Sequence, residues 1–206
     1  MTIKELLNQA VIMLKNENID APKNKARMLL EATLKKTREY LMIYDTKEIT
    51  SIERDKYIRN VKRLIAGEPL QYITGKQEFM KLNFLVTKDV LIPRADTEIL
   101  VEEVIKIAEN KTNPVILDMC TGSGAIAVSL AKYVKNVKVY AIDISEKALE
   151  IAKKNAEFNG VKNNIKFIES NLFDKIKDKK FDIIVSNPPY IETDTIKKLT
   201  IDVQNE

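Results

Sequence analysis

The chain has 206 residues, of which 45% are hydrophobic, and its 34 basic and 30 acidic side chains give a net charge of +4. The single cysteine, Cys120, excludes an internal disulfide, and the absence of histidine excludes histidine base catalysis and most zinc sites. No apolar run reaches the roughly 18 residues of a membrane span, and Lys4 and Glu5 interrupt the N-terminal apolar residues. We therefore expect a soluble cytoplasmic protein whose chemistry uses amides, carboxylates, hydroxyls or a cofactor.

Residues 1–75 are predicted to form a domain of short helices. Thr2 with Glu5, and Thr50 with Glu53, have the spacing of a capping box, in which each side chain binds the backbone of the other. Apolar residues then recur at helical spacing, and Gly67 is a typical residue to end the last helix. The four predicted helices begin after Thr2, Asp20, Thr37 and Thr50.

This predicted helical domain carries an excess of positive charge. Residues 1–76 contain 15 basic and 10 acidic residues, whereas the rest of the chain contains 19 and 20. Such an asymmetry helps to dock a macromolecular partner, but a solvated helix face explains it equally well. The sequence leaves both interpretations open.

Residues 76–95 are predicted to connect two domains as a β-hairpin. Two apolar runs, residues 84–87 and 90–92, flank the polar pair Lys88-Asp89. Short apolar runs around a polar turn are typical of paired strands.

A helix is predicted to follow the hairpin. Asp96 has the side chain of an N-cap, and Glu98 suits the first helical turn, where a negative charge is favourable. Apolar residues continue at helical spacing to Ala108. We therefore assign Arg94, Asp96 and Glu98 to the start of this helix ahead of any catalytic role.

Residues 96–206 are predicted to form an α/β domain. Apolar strands alternate with helices from residue 115 to residue 186, which favours a parallel, doubly wound sheet. The predicted strands are 115–119, 137–142, 165–168 and 181–185, and the predicted helices begin near Ala125 and Ser145.

A glycine-rich turn and a carboxylate indicate a site for an adenosine-containing ligand. Gly122 and Gly124 separate the first strand from its helix, and glycines let the backbone approach a ligand beside a helix N-terminus. Asp143 ends the second strand, 21 residues after Gly122. A carboxylate at that place can accept hydrogen bonds from both hydroxyls of a ribose.

Two cofactors fit this pattern. The run from Gly122 to Ala127 satisfies the dinucleotide fingerprint G-x-G-x-x-A, although that signal is weak alone. A nicotinamide enzyme needs a group that exchanges a proton, most often histidine, which the chain lacks. S-adenosylmethionine carries an activated methyl group and requires only a nucleophile held in line with it. The sequence therefore favours S-adenosylmethionine.

The motif Asn187-Pro188-Pro189-Tyr190 follows the last predicted strand and suits a planar amino group. The prolines fix the backbone and have no N–H, so the carbonyls stay free to accept from a ligand. Asn187 Oδ1 and the Pro188 carbonyl can accept the two amino hydrogens while Tyr190 covers the face of the group. The plain alternative is a strand that ends in a proline turn.

Similarity to a known family is carried by four segments, Gly67–Gly75, Val90–Glu98, Asp118–Ala127 and Ile184–Ile191. In order and spacing they resemble the N5-glutamine methyltransferases of peptide chain release factors. The helical N-terminal domain and the second segment are the most specific parts of this resemblance, whereas the motif at Asn187 occurs in many amino-group methyltransferases.

The resemblance implies a Rossmann-like class I S-adenosylmethionine-dependent methyltransferase domain that follows a helical substrate-binding domain. It also implies methylation of the glutamine in the Gly-Gly-Gln motif of class 1 release factors. The family's catalytic domain continues beyond the point where residue 206 lies. We therefore expect a C-terminally incomplete domain that is poorly active alone, and a monomeric complete enzyme without membrane or direct nucleic-acid contact.

Residue by residue, the resemblance implies a cofactor site, a substrate site and no metal. Asn187, Pro188 and Tyr190 are implied to be catalytic, and Asn187, Pro188, Pro189 and Tyr190 to bind the substrate amide. The implied cofactor-binding residues are Cys120, Thr121, Gly122, Ser123, Gly124, Asp143, Asn171, Leu172 and Asn187.

Two of these residues depart from the family pattern. Cys120 stands where the family often has glycine, so its backbone must keep φ below zero or carry strain. Asn171 replaces a frequent aspartate, which removes the charge assistance of a hydrogen bond to the adenine.

Three other functions compete with this one. A nucleic-acid amino methyltransferase would also bind a planar amino group, that of adenine N6, but a net charge of +4 is modest for such an enzyme. A dinucleotide oxidoreductase ranks lower because the chain has no histidine. The third is a protein that binds the cofactor or the release factor without turnover.

Overall fold

The computed structural model describes residues 1–190. The end of the predicted 96–206 domain, including Ile191 of the fourth family-like segment, lies outside these residues. Within them the chain forms two compact units, residues 1–74 and residues 75–190. None of the helices in residues 1–190 is long and apolar enough to cross a membrane.

The first unit is a bundle of helices with the predicted starts. Its helices are α1 (Ile3–Asn16), α2 (Pro22–Leu34), α3 (Arg38–Ile43), α4 (Ser51–Ile65) and α5 (Leu70–Thr74). Thr2 and Glu5 form the predicted capping box of α1, and Thr50 and Glu53 form that of α4. Thr37 caps α3 as predicted. The short α5 was not predicted, because Gly67 marks the end of the preceding helix.

The apolar faces of these helices meet in one core. Tyr57 is fully buried there, and its hydroxyl donates to the carbonyl of Ala26 at 2.9 Å. The start of α2 differs from the other starts, since Pro22 occupies the first turn and no side chain caps it. Asp20 instead forms an ion pair with Lys25.

The second unit begins with a hairpin that lies earlier in the chain than predicted. Its strands are β1 (Lys76–Phe79) and β2 (Leu82–Leu85), so the prediction of strands at 84–87 and 90–92 is wrong. Met80 and Lys81, with φ of 51° and 58°, form a two-residue turn of the left-handed type that hairpins favour. Neither is a typical residue for this turn, which is why the sequence pattern missed it.

The following helix, α6 (Ala95–Ala108), also begins differently from the prediction. Arg94 occupies the N-cap position without a side-chain cap bond, and Asp96 lies inside the first turn, so Asp96 is not the N-cap. Glu98 accepts a hydrogen bond from the Met80 N–H at 2.7 Å. The Tyr133 hydroxyl donates to the Met80 carbonyl at 2.6 Å. Both the N–H and the carbonyl of Met80, in the hairpin turn, are therefore hydrogen-bonded to side chains.

A parallel four-stranded sheet confirms the predicted α/β fold. Its strands are β3 (Val115–Met119), β4 (Lys138–Asp143), β5 (Ile165–Glu169) and β6 (Ile183–Ser186), in the order β5-β4-β3-β6. All three strand pairs are parallel. The crossover helices are α7 (Ala125–Tyr133) and α8 (Glu146–Phe158).

Alternation along the strands divides the second unit into two apolar clusters. Ile116 and Val139 belong to the larger cluster, which also contains residues of α6, α7 and α8. Leu117 and Tyr140 belong to the other, which Ile176 completes. Among the described residues this second face is covered by the segment around Ile176 and not by a helix. With both faces covered, the carboxyl ends of the strands are left to carry ligand-binding loops.

Candidate functional site

The predicted site residues lie at or just after the carboxyl ends of the parallel strands. In the sheet order, β3 lies between β4, which ends in Asp143, and β6, which is followed by Asn187. Met119 is paired with Ile142 on one side and with Ser186 on the other. The glycine loop that follows β3, residues 120–124, is therefore brought between the Asp143 carboxylate and the Asn187 amide.

The glycine loop, residues 120–124, is a tight turn with three left-handed residues. Gly122 and Gly124 have φ of 54° and 79°, and a side chain on Gly124 would place its Cβ 2.9 Å from the Cβ of Ala152. Cys120 also has a positive φ, 62°. Of the two outcomes that the sequence allowed at this position, the backbone takes the strained one, which costs of order 1–3 kcal/mol for a residue other than glycine.

The side chain of Asp118, on strand β3, is hydrogen-bonded to Thr121 of the glycine loop. Its side chain is completely buried, and Oδ2 accepts from the Thr121 hydroxyl at 2.5 Å and from the Ala127 N–H at 3.1 Å. Within residues 1–190, Oδ1 has no hydrogen-bond partner. Burial raises the pKa of Asp118 to about 7. Asp118 was not among the predicted site residues, although a carboxylate inside an apolar strand is a recognisable signal.

Asp143 connects the glycine loop to the neighbouring strand. Its Oδ2 accepts from the Gly122 N–H at 2.8 Å, and its Oδ1 accepts from the Ser145 N–H at 3.0 Å. The side chain is half-buried, and each carboxylate oxygen can accept a further hydrogen bond. The geometry therefore leaves Asp143 able to accept from ribose hydroxyls while it fixes the loop.

Asn171 and Leu172 lie at the same edge of the sheet, after β5. The neighbouring Ser170 donates its N–H to the Asp143 carbonyl at 2.9 Å, so this segment adjoins the end of β4. Both side chains are exposed, and Leu172 has a φ of 47°. The structure brings them next to Asp143 but shows no hydrogen bond from the Asn171 side chain to the glycine loop.

Asn187 lines a cleft with the glycine loop. The Ser186 hydroxyl donates to the Met119 carbonyl at 2.8 Å and joins the end of β6 to β3 just before this residue. Asn187 Nδ2 donates to Thr97 Oγ1 at 3.2 Å. The remaining cleft residues are Phe79, Leu91, Ile92, Pro93, Arg94, Cys120, Thr121, Gly122, Ser123, Ala125 and Ile126.

The rest of the tetrapeptide projects outward. Pro188 and Pro189 are exposed, and the Tyr190 side chain is 79% exposed and is not part of the cleft lining. The structure therefore brings Asn187 to the glycine loop but does not bring Tyr190 into the cleft, although the sequence predicts Tyr190 as a catalytic and substrate-binding residue.

Sequence reasoning missed one wall of this cleft. Phe79, Ile92 and Thr97 come from the hairpin, the loop after it and α6, and none was predicted to contribute. A further missed residue is the buried Asn155 of α8. Its Oδ1 accepts from the Leu85 N–H at 2.7 Å, and its Nδ2 donates to the carbonyls of Leu85 at 3.0 Å and Ser123 at 2.8 Å.

Comparisons with known proteins agree with these two units. The family described as PrmC N-terminal domain matches residues 5–75, and the family described as methyltransferase small domain matches residues 95–203. The chain is 39% identical over 206 residues to the release factor glutamine methyltransferase of Moorella thermoacetica, covering 100% of this chain and 73% of that protein. It is 41% identical over 207 residues to the protein of the same name from Clostridium acetobutylicum, with coverages of 100% and 73%. A bifunctional methyltransferase of Rickettsia typhi is 37% identical over 222 residues, which cover 99% of this chain and 43% of that protein.

Proposed function

The chain belongs to the release factor glutamine methyltransferase family, and we propose that it methylates the side-chain amide nitrogen of the glutamine in the Gly-Gly-Gln motif of class 1 release factors. The observation that carries this proposal is the position of Asn187, which lines one cleft with the glycine loop. Within residues 1–190, its Oδ1 has no donor, so this oxygen is open to a substrate N–H.

The residues of the glycine loop and Asp143 fit S-adenosylmethionine as the cofactor. A Cβ on Gly122 would meet no atom within 4 Å, so space lies open over the loop. Asp143 presents carboxylate oxygens to a ribose, and residues 121–124 present the backbone to the methionine portion. When bound, this cofactor supplies an electrophilic methyl group.

The tetrapeptide is suited to hold the substrate amide. An amide nitrogen is a poor nucleophile because its lone pair is delocalised into the carbonyl. Asn187 Oδ1 and the Pro188 carbonyl can accept its two hydrogens, which increases electron density on the nitrogen as the new N–C bond forms. The surplus proton of the methylated amide can pass to water, so no side chain is needed as a base. Tyr190 can cover the exposed face of the amide.

The helical unit offers a surface for docking the release factor. A groove of about 450 Å³ runs beside α4 and is lined by Arg54, Arg59 and Lys62, with Asp55 as its acidic member. Arg54 pairs with Asp55 at 3.0 Å, whereas Arg59 and Lys62 have no ion-pair partner among residues 1–190. An excess of unpaired positive charge supports binding of an acidic protein surface.

The competing functions have less support. The family relationship argues against a dinucleotide oxidoreductase. The relatives named above give no support to adenine as the methyl acceptor. Because release factors act at the ribosome, we also infer that the protein works in the cytoplasm. A chain that binds the cofactor or the release factor without turnover would transfer no methyl group in the assay described next.

The proposed function is tested by methyl transfer from labelled S-adenosylmethionine to a purified class 1 release factor. The matched control is the same factor with the Gly-Gly-Gln glutamine replaced by alanine, and duplex DNA is the third substrate. We expect label only in the release factor that retains this glutamine. Label in DNA, or equal label in both release factors, would contradict the proposal.

A further inference from the structure

The side-chain amide of Asn187 is held by a single described contact. Its Nδ2 donates to the hydroxyl oxygen of Thr97 at 3.2 Å, across 90 residues of sequence. Both side chains are half-buried and both line the cleft that contains the glycine loop. No other hydrogen bond to the Asn187 side chain is present within residues 1–190.

In this contact the nitrogen end of the Asn187 amide is bound to Thr97, which leaves the oxygen end for the substrate. The terminal torsion of asparagine is broad and roughly two-fold, so a rotation by about 180° exchanges the acceptor oxygen with the donor nitrogen. A substrate –NH2 group needs an acceptor, and a rotated Asn187 would present its own N–H groups. With Nδ2 bound to Thr97, the oxygen remains available.

Thr97 lies on a fixed part of the fold. It is in the first turn of α6, and the next residue, Glu98, binds the Met80 N–H of the hairpin at 2.7 Å. On the other side, Ser186, the residue before Asn187, donates its hydroxyl to the Met119 carbonyl of β3. Both partners of the hydrogen bond are therefore attached to rigid elements, which is what a precise site requires.

We propose that Thr97 is a positioning residue that orients the Asn187 amide, with its oxygen toward the methyl-accepting amide. This inference rests on the proposed function, and it gives the segment from Ile92 to Glu98 a direct relation to the reaction. Thr97 touches neither substrate nor cofactor in this role, since it acts through Asn187.

Two variants separate the hydroxyl from the rest of the side chain. Thr97→Val keeps the β-branched shape and removes the hydroxyl, while Thr97→Ser keeps the hydroxyl and removes the methyl group. For Thr97→Val we expect kcat on the release factor to fall roughly 3- to 10-fold, as for the loss of one neutral hydrogen bond. KM and cofactor affinity should change by less than about twofold, because the contacts that set them are retained. Thr97→Ser should turn over at nearly the wild-type rate.

A second measurement reports the hydrogen bond without any reaction. In a nitrogen–proton correlation spectrum the Asn187 side-chain amide is the resonance pair that disappears in Asn187→Ala. We expect this pair to shift in Thr97→Val and to stay near its original position in Thr97→Ser. Thermal unfolding of all variants checks that the fold is retained.

The outcomes distinguish this inference from the function on which it rests. A wild-type chain that transfers no methyl group to the release factor refutes the proposed function, and the spectrum alone then shows whether the bond exists. An active wild type that Thr97→Val matches in turnover and spectrum overturns only the role of Thr97. Equal losses in both variants would also overturn it, since retaining the hydroxyl in Thr97→Ser would then give no advantage over losing it in Thr97→Val.

Discussion

The backbone N–H of Gly122 donates to Asp143 Oδ2 at 2.8 Å, so the carboxylate at the end of β4 also fixes the glycine loop after β3. This side chain therefore shapes the loop, and in the proposed function it also presents an acceptor to a ribose. Loss of the carboxylate should therefore disturb the loop and weaken binding of the ribose.

Replacement of this carboxylate should weaken cofactor binding. For Asp143→Ala we expect the binding free energy of S-adenosylmethionine to fall by roughly 1.5–3 kcal/mol, the range for hydrogen bonds to a charged group. Calorimetric titration measures the effect. Glu102→Ala, which removes an exposed carboxylate from α6, is the control for net charge. An affinity like that of the control would remove Asp143 from the cofactor site.

Asn187 should matter more for the transition state than for cofactor binding. For Asn187→Ala we expect turnover to fall by about 10²–10³-fold, as when one preorganised polar contact is lost. Calorimetry should show a much smaller change in cofactor affinity. The exposed Asn24 of the helical unit provides the control Asn24→Ala, which should keep full activity. Wild-type turnover by Asn187→Ala would rule out the proposed role of Asn187 in holding the substrate amide.

Asp118 should make the stability of the protein decrease as pH rises. Its folded-state pKa of about 7 lies above the ordinary value of 3.8 because burial disfavours the charged form. The folded state therefore holds a proton that the unfolded state has lost, and the free energy of unfolding falls between about pH 4 and pH 7.

Asp118→Asn isolates this contribution. Its amide oxygen can still accept from Thr121 and Ala127, while nothing titrates. Surface carboxylates such as Glu53 and Asp182, whose pKa values are lowered by hydrogen bonds, change stability in the opposite direction in both proteins. We therefore expect the difference in unfolding free energy between variant and wild type to grow in favour of the variant from pH 4 to pH 7. Parallel urea titrations across this range would disprove the assignment.

The left-handed backbone of Cys120 should favour glycine over alanine. Both Cys120→Gly and Cys120→Ala remove the sulfur, but only alanine keeps a Cβ at a φ of 62°. Glycine is usually less stable than alanine because it has more freedom when unfolded. Here we expect the order to reverse by about 1 kcal/mol, since the strain of a Cβ in this region is about 1–2 kcal/mol. Chemical denaturation of the pair gives the answer, and the usual order would show that the position is not strained.

Charge reversal in the groove beside α4 should weaken recognition of the release factor. Arg59 and Lys62 line this groove, whereas Lys56 of the same helix is exposed and lies outside it. For the double variant Arg59→Glu, Lys62→Glu we expect KM to rise about tenfold with kcat nearly unchanged, and more strongly at low salt. Lys56→Glu is the matched control. If the double variant shows the same KM as the wild type and Lys56→Glu, the groove is not the docking surface.

The elements and the edge of the sheet that holds the site could be predicted from sequence because both follow local rules. Helical spacing and capping residues gave the starts of α1, α3 and α4, and alternating apolar strands gave the parallel sheet. The glycine loop, Asp143 and Asn187 then follow from one rule, that ligands bind at the carboxyl ends of such strands. The contacts that these residues make are a finding of the structure.

What could not be predicted depends on contacts between residues far apart in the chain. The hairpin register is set by left-handed residues at Met80 and Lys81, which carry no glycine or asparagine signal. Thr97 meets Asn187 across 90 residues, and no local pattern links the two. In the sequence Asn155 looks like any polar residue of a helix, and only the fold shows that its side chain is buried.

Asn155 joins the hairpin to the glycine loop. Its amide bridges the backbone of β2 and the carbonyl of Ser123, with Oδ1 accepting one hydrogen bond and Nδ2 donating two. Separating the hairpin from the glycine loop would break these bonds together and leave several buried polar groups without partners, each costing about 1–3 kcal/mol. The two walls that Asn155 joins therefore behave as one piece. A ligand that enters the cleft therefore meets a hairpin and a glycine loop that one side chain already holds together.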